Sequence, residues 1–226
     1  SGDRAAGDPQ HEHDAGRRDE LDDGSQCGLD LHLSGGQGSY RPDGRIAFAA
    51  QGSSAQYGPL DFIVDADVRL TFAETHALAR EVAAGLIARH QIATGQPIGI
   101  AARNSASWAI VYMAVLMAGG CAVLLNGWWT PAEMADGIAL SECRLIFADT
   151  ARAARLAEIP HGAELRLLNH GDPRADLANL LDCAAPMPEL GGLDPATILF
   201  TSGSTGQSKG AFSDHRGVIH GALSFA

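Results

Sequence analysis

Apolar positions along the chain follow two spacings. Leu78, Val82 and Leu86 recur every four positions, which is the spacing of one helix face and predicts an amphipathic helix ending near His90. Short unbroken apolar runs at 98–102 and 121–125 are typical of buried strands. The two spacings then alternate. They predict strands over 98–102, 121–125, 145–148, 165–168 and 197–200, and helices over about 72–90, 107–118, 131–141, 150–156, 177–181 and from about 215 onward.

Helix starts carry signals of their own. Residues 71–74 and 130–133 each read Thr-x-x-Glu, a capping box in which the Thr hydroxyl accepts from the Glu backbone N–H and the Glu carboxylate reaches back. Asp149 is a candidate cap for the next helix, and Ser213 or Asp214 for the last one. Strands that alternate with helices predict an α/β fold built around a mostly parallel sheet.

The stretch 108–125 contains no charged residue, so a membrane-spanning helix is an alternative interpretation for it. A Gly119-Gly120 pair lies inside the stretch, and no basic residues flank it as anchors. We therefore expect a buried helix, a turn and a strand there, and no transmembrane segment.

Residues 1–58 have a different composition. Gly, Asp, Ser, Gln and Arg dominate, and large apolar side chains are few. Such a segment cannot bury enough surface to offset its conformational entropy. We interpret 1–58 as a disordered or non-homologous leader and 59–226 as the folded domain. His11 and His13 lie in this acidic leader, where we expect them to be solvated and not to bind a metal.

Charge and cysteine content exclude several classes of partner. The formal net charge is −11, and no Lys/Arg-rich run provides a surface for nucleic acid or anionic membrane. Four scattered cysteines without a CxxC pair argue against a disulfide scaffold or a zinc knuckle. No secretory signal is present, so we expect a cytoplasmic protein. Lys209 is the only lysine in the chain.

The candidate chemistry follows the strand at 197–200. Residues 201–210 read TSGSTGQSKG, which combines hydroxyls, three glycines and Lys209 with no carboxylate. Glycines let successive backbone amides converge on an anion, and the hydroxyls and the ammonium add donors. The loop is therefore predicted to bind phosphate. Its spacing matches neither GxxxxGK[ST] nor GxGxxG, because Ser208 and Thr205 stand where glycines are required.

FTSGSTGQSKG resembles the signature phosphate loop of the AMP-dependent, adenylate-forming synthetases and ligases, which include acyl-CoA synthetases and peptide-synthetase adenylation domains. The resemblance extends back through PIGIAARNSASWAIVYMAVLMAGGCAVLLNGWWTPAEM to about residue 65. The NGWWTPAEM stretch is most similar to fatty-acyl and related CoA ligases. The family usually has Pro where this chain has Ser208, and we expect this change to alter nucleotide affinity.

The resemblance implies a two-step reaction. A carboxylic or fatty acid attacks the α-phosphorus of ATP to give acyl-adenylate and pyrophosphate, with Mg²⁺ sharing the phosphate charge, and coenzyme A then displaces AMP. Lys209 is the implied catalytic residue, since it would neutralise the departing pyrophosphate. The resemblance assigns ATP binding to Thr201, Ser202, Gly203, Ser204, Thr205, Gly206, Lys209 and Gly210.

The family's acyl pocket, acidic magnesium motif, ribose-binding aspartate and mobile C-terminal domain are expected beyond Ala226, so we expect this chain alone to be inactive. Two alternatives remain: a non-catalytic nucleotide-binding partial copy, and a peptide-synthetase adenylation domain. His215 and His220 are five positions apart, which does not suit a helical zinc pair. Trp128-Trp129 resembles a binding platform, although packing against the following helix is the favoured interpretation.

Overall fold

The structure of the chain, a computed structural model, describes residues 46–65, 68–169, 171–202 and 208–223. Helices and strands alternate through most of this part. The helices are α1 Ile46–Tyr57, α2 Phe72–His90, α3 Ala106–Met117, α4 Pro131–Ser141, α5 Thr150–Leu156, α6 Pro173–Asp176 and α7 His215–Leu223, with a 3₁₀ turn at Ala178–Leu180. The strands are β1 Asp61–Asp65, β2 Val68–Thr71, β3 Pro97–Ala101, β4 Cys121–Leu124, β5 Leu145–Asp149, β6 Glu164–Leu168, β7 Pro195–Ser202 and β8 Ser208–Asp214.

Six of the strands form one sheet in the order β6-β5-β3-β4-β7-β8. All neighbours pair in parallel except β7 and β8, which form an antiparallel pair at one edge. Strands β1 and β2 form a separate antiparallel pair. The predicted α/β class with a mostly parallel sheet is confirmed.

Helices cover both faces of this sheet. Leu145 and Phe147 of β5 point into a core shared with α2 and α3, whereas Ile146 and Ala148 point into a second core shared with α4 and α5. This alternation follows from the two-residue period of a strand. A strand that is apolar at every position is therefore buried on both sides, as parallel strands usually are.

Side-chain caps fix where the helices begin. The hydroxyl oxygen of Thr71 accepts from the backbone N–H of Glu74 at 3.2 Å, and that of Thr130 accepts from Glu133 at 3.3 Å. In both cases the glutamate carboxylate accepts in return from the threonine backbone N–H, so both predicted capping boxes are confirmed. The Asp149 carboxylate caps α5 by accepting from the backbone N–H of Arg152 at 2.9 Å, as its sequence position predicts.

The uncharged stretch 108–125 folds as predicted, into the greater part of α3, a turn and β4. The turn requires Gly119, whose φ is +85°. In the part of the chain that the structure describes, no helix combines the length and the apolar character that a membrane crossing demands.

The structure departs from the prediction at four places. A helix, α1, occupies 46–57 inside the segment interpreted as an unstructured leader, where its Tyr57 ring packs 5.6 Å from that of Phe72. The rest of that segment, including His11 and His13, lies outside the described residues. Strands β1, β2 and β8 were not predicted, because they are short or polar and are held by pairing with a neighbour. The predicted helix at 177–181 is instead α6 and the 3₁₀ turn.

Candidate phosphate-binding site

The predicted phosphate loop connects β7 and β8. Strand β7 continues to Ser202 and β8 begins at Ser208, so the sequence from 201 to 210 starts and ends in paired strands. The chain therefore reverses at this point, beside the carboxyl end of β4, with which β7 pairs in parallel. Ligand sites of open α/β sheets lie at such carboxyl ends.

Two polar side chains share one face of this hairpin. Thr201 and Lys209 are directly opposite each other in the ladder, and both are exposed. The Thr201 hydroxyl is 3.5 Å from the Lys209 carbonyl oxygen. Directly opposed residues of an antiparallel pair project to the same side, so a hydroxyl and an ammonium group lie together at the base of the loop.

Phe200 and Gly210 form the neighbouring opposed pair, and their positions project to the other face. A Cβ added to Gly210 would lie 3.7 Å from Cε1 of Phe200, so the ring reaches across the glycine. Phe200 packs against the core on the α4 side. Next to the loop, the Phe200 side chain therefore lies toward the core, whereas the Thr201–Lys209 pair lies on the opposite face and is exposed.

The structure places the predicted site residues as follows. Thr201 and Ser202 end β7, and Lys209 and Gly210 belong to β8. Gly203, Ser204, Thr205 and Gly206 lie outside the described residues. Phosphate contacts for all eight residues stay predictions. Ser208, the residue that replaces the usual proline, begins β8 and is paired with Ser202.

The loop after β4 lies beside this hairpin. Its two tryptophans have different environments: Trp128 is 87% exposed, whereas Trp129 is 7% exposed and packs edge-on against Phe200 with ring centroids 4.9 Å apart. The favoured interpretation of the two tryptophans is packing against the following helix, and it is confirmed for Trp129. A Cβ on Gly137 of that helix would lie 2.5 Å from the Trp129 indole. Trp128 does not share this packing.

Two further residues flank the hairpin. Tyr112 of α3 forms a hydrogen bond with Thr197 of β7, with 3.0 Å between their oxygens, and burial raises the pKa of the Tyr112 phenol. His215, the first residue of α7, is fully buried, and this burial lowers its pKa although Asp194 and Asp214 act in the opposite direction. The predicted cap of α7 is Asp214, whose carboxylate accepts from Gly217 at 2.6 Å.

The donor types at the hairpin fit a phosphate group. Thr201 offers a hydroxyl and Lys209 an ammonium, and no carboxylate belongs to the segment 201–210. Among the residues that the structure describes, no group of three or more His, Cys, Asp or Glu side chains is placed to hold a metal ion. The side chains of the segment 201–210 therefore suit phosphate oxygens and offer no carboxylate to Mg²⁺.

Comparison with known sequences decides the family. The sequence model described as AMP-binding enzyme matches residues 50–226, which include the whole hairpin and the sheet beneath it. The chain belongs to the AMP-binding enzyme family. The resemblance to adenylate-forming synthetases and ligases is thus confirmed, and the AMP-binding match begins within α1.

Two relatives of this AMP-binding chain have names of different kinds, one a synthetase and the other a CoA ligase-like protein. The chain is 31% identical over 161 residues to the AMB antimetabolite synthetase AmbB of Pseudomonas aeruginosa, covering 71% of this chain and 12% of that protein. It is 30% identical over 165 residues to a 4-coumarate–CoA ligase-like protein of Oryza sativa, covering 65% of this chain and 28% of that protein. The chain thus spans less than a third of the length of either relative.

A solved structure agrees with the fold. The N-terminal domain of FACL13 from Mycobacterium tuberculosis superposes with a TM-score of 0.70 at 25% identity, over 80% of this chain and 47% of that one. The AMP-binding chain therefore shares the fold of the N-terminal domain of adenylate-forming enzymes.

The sequence interpretation missed two arginines that hold the loop beside the hairpin. Arg152 and Arg155 lie on α5, and their side chains reach the loop after β4. An arginine pair three positions apart on a short helix is a weak signal in a chain with many arginines. The signal that could have indicated a close approach at this loop is Gly127, a glycine between a strand and a predicted capping box.

Proposed function

We propose that the intact protein is an AMP-forming acid–thiol ligase that converts a carboxylic or fatty acid, ATP and coenzyme A to acyl-CoA, AMP and pyrophosphate through an acyl-adenylate. The observation that carries the proposal is the FTSGSTGQSKG segment at the carboxyl edge of a parallel sheet, in a chain of the AMP-binding family. The free cysteines of the described part fit a reducing compartment, and we propose a cytoplasmic location.

The first step transfers an AMP group to the carboxylate and releases pyrophosphate. Negative charge accumulates on the departing β- and γ-phosphates, so donors fixed near those oxygens lower the barrier. Lys209 and Thr201 share the exposed face of the hairpin, where a phosphate chain meets both a charge and a hydroxyl. We assign Lys209 to pyrophosphate neutralisation, and Thr201, Ser202, Gly203, Ser204, Thr205, Gly206 and Gly210 to the wrapping of the phosphates.

ATP supplies the AMP group, and Mg²⁺ would share the charge of its phosphates. The described residues at the hairpin bind and orient phosphate oxygens, while ligands for the metal are proposed to come from elsewhere in the intact protein. Coenzyme A is proposed as the acceptor because a 4-coumarate–CoA ligase-like protein is among the relatives.

A second candidate is an adenylation domain of a peptide synthetase. It is favoured by two other relatives, tyrocidine synthase 3 of Brevibacillus parabrevis and nonribosomal peptide synthetase inpB of Emericella nidulans. The first half-reaction is the same in both candidates. They differ in the acid and in the thiol that receives the acyl group.

The test is ATP–pyrophosphate exchange by the intact protein across a panel of fatty, aromatic and amino acids, followed by thioester formation with coenzyme A. Exchange with a carboxylic acid and formation of its CoA ester would support the proposal. Exchange with an amino acid and no transfer to coenzyme A would favour the peptide-synthetase candidate. Measurable ATP binding without exchange for any acid would show a non-catalytic nucleotide-binding protein.

A further inference from the structure

Two arginines of α5 hold the loop that follows β4. The Arg152 Nε donates to the carbonyl oxygen of Gly127 at 3.1 Å. Arg155 Nη1 donates to the same carbonyl at 2.9 Å and to that of Trp129 at 3.2 Å. Two backbone carbonyls of one short loop are therefore held by charged donors, which make the stronger class of hydrogen bond.

The Arg152 guanidinium is itself fixed. Its Nη1 is 3.0 Å from the Asp149 carboxylate, and the two side chains are 10% and 3% exposed. The same carboxylate accepts from the backbone N–H groups of Arg152 and Arg103, each at 2.9 Å. A buried ion pair with this many hydrogen bonds gives the guanidinium one position.

The held loop ends in the buried indole of Trp129. That ring lies between α4, where Gly137 leaves room for it, and Phe200 of β7. Phe200 precedes Thr201 and reaches across Gly210, the residue after Lys209. An unbroken series of contacts thus runs from the α5 arginines to both strands at the base of the phosphate loop.

We propose that Arg152 and Arg155 are positioning residues for the phosphate site. Their hydrogen bonds fix the loop from Gly127 to Trp129, and the Trp129 ring in turn fixes Phe200. The position of Phe200 then determines the position of the hairpin face that bears Thr201 and Lys209 and contacts the phosphates. The inference rests on the proposed function, because the effect is read through ATP use.

Arg152→Lys is the direct test. A single ammonium group keeps the charge beside Asp149, but it cannot reproduce two guanidinium nitrogens that bond to Asp149 and Gly127 separately. A displaced Thr201–Lys209 face holds the phosphates less tightly, so we expect the KM for ATP in pyrophosphate exchange to rise about tenfold. The KM for the carboxylic acid should stay unchanged.

Gly127→Ala perturbs the same contact through a change in the loop instead of in the arginine. The added Cβ would lie 2.9 Å from Arg152 Nη2 and 3.0 Å from its Nε, so the methyl group displaces the guanidinium without removing a charge. This variant should also raise the KM for ATP, and it keeps the proposal testable if Arg152→Lys does not fold. Arg174→Lys is the matched control, since Arg174 forms an exposed ion pair with Glu81.

A double-mutant cycle with Phe200→Leu separates positioning from general destabilisation. If Arg152 acts through Phe200, the double variant is no worse in KM for ATP than the worse single variant, whereas independent effects multiply. Multiplying effects, or an unchanged KM in both folded Arg152→Lys and Gly127→Ala, would overturn the inference. Absence of exchange in the parent protein would instead overturn the proposed function.

Discussion

The phenol oxygen of Tyr112 and the hydroxyl oxygen of Thr197 are 3.0 Å apart, and this hydrogen bond joins the middle of α3 to the start of β7. Thr197 is 3% exposed, and Tyr112 stacks on Trp108 with ring centroids 5.5 Å apart. The strand that leads to the phosphate loop is therefore connected to the helix layer on one face by a polar contact and to the α4 layer on the other by Phe200.

Removal of either hydroxyl should destabilise the fold. Tyr112→Phe and Thr197→Val each leave one buried hydroxyl without this partner, which costs about 1–2 kcal/mol in the free energy of unfolding. The double variant should cost less than the sum of the two, because it removes both polar groups together. Urea unfolding of the four proteins measures this, and additive losses would show that the two hydroxyls do not interact.

A methyl group at Gly85 should be harmful although Gly85 lies inside a helix. Alanine normally stabilises a helix interior relative to glycine by about 1 kcal/mol. Here the Cβ would lie 2.0 Å from the Leu180 carbonyl oxygen, so helix and 3₁₀ turn must separate. We expect Gly85→Ala to lower the free energy of unfolding by about 1–3 kcal/mol.

Gly221→Ala is the control for this effect. Gly221 lies in α7, and its added Cβ would meet no atom within 4 Å. We expect that variant to leave the free energy of unfolding unchanged or to raise it by up to about 1 kcal/mol. Equal effects of the two substitutions in thermal or urea unfolding would contradict the close packing at Gly85.

Loss of the lysine ammonium should weaken ATP use. A charge-assisted contact contributes about 1.5–3 kcal/mol, so Lys209→Ala in the intact protein should reduce kcat/KM for ATP in pyrophosphate exchange about 10- to 100-fold. Arg216→Ala, which removes an exposed cation from the neighbouring helix α7, serves as the control. An unchanged ATP affinity and exchange rate in Lys209→Ala would disprove the pyrophosphate role.

Acidification should destabilise the fold through one buried and two half-buried histidines. Burial lowers the pKa values of His76, His90 and His215 in the folded state below the value of 6.5. Above that pH both states are neutral and stability is complete. As the pH falls below it, the unfolded chain binds protons that the folded one does not, and stability is lost.

The pH dependence is best measured by urea unfolding between pH 7.5 and 5.5. The pKa values of Glu74 and Glu133 are also lowered in the folded state, but their contribution is lost only below about 4.5. His215→Gln should flatten the dependence in the measured window, with His220→Gln as the control on the same helix. A parallel decline in parent and His215→Gln would contradict the role of this histidine.

The sequence was sufficient wherever local signals decide the structure. The Thr71–Glu74 and Thr130–Glu133 boxes, the Gly119 turn and the doubly buried run at 145–149 are each specified by a few adjacent residues. Strand β8 was missed because its residues alternate weakly, and it is a strand only because β7 pairs with it.

The candidate site also has one part that adjacent residues specify and another part that depends on contacts between distant segments. The composition of 201–210 predicts a phosphate loop because its donors are consecutive in the chain, and the phosphate contacts stay a prediction. The packing beside it was not predictable, because Arg152 of α5, Gly127 and Trp129 of the loop after β4, and Phe200 of β7 come from three separate elements and meet only through folding. No periodicity within a single segment carries information about such a contact.

The sheet order has a consequence for how the site is assembled. Between β3 and β4 the chain forms only α3, and between β3 and β5 it forms α3, β4 and α4. Between the neighbouring strands β4 and β7 it forms α4, β5, α5, β6 and the long segment that contains α6 and the 3₁₀ turn. Among the strand pairs that the structure describes, β4 with β7 closes the longest loop, and loop closure costs entropy before contacts compensate for it. The β7–β8 hairpin is local in the chain, yet it joins the rest of the sheet through the pairing that spans the longest stretch of sequence among the described strand pairs.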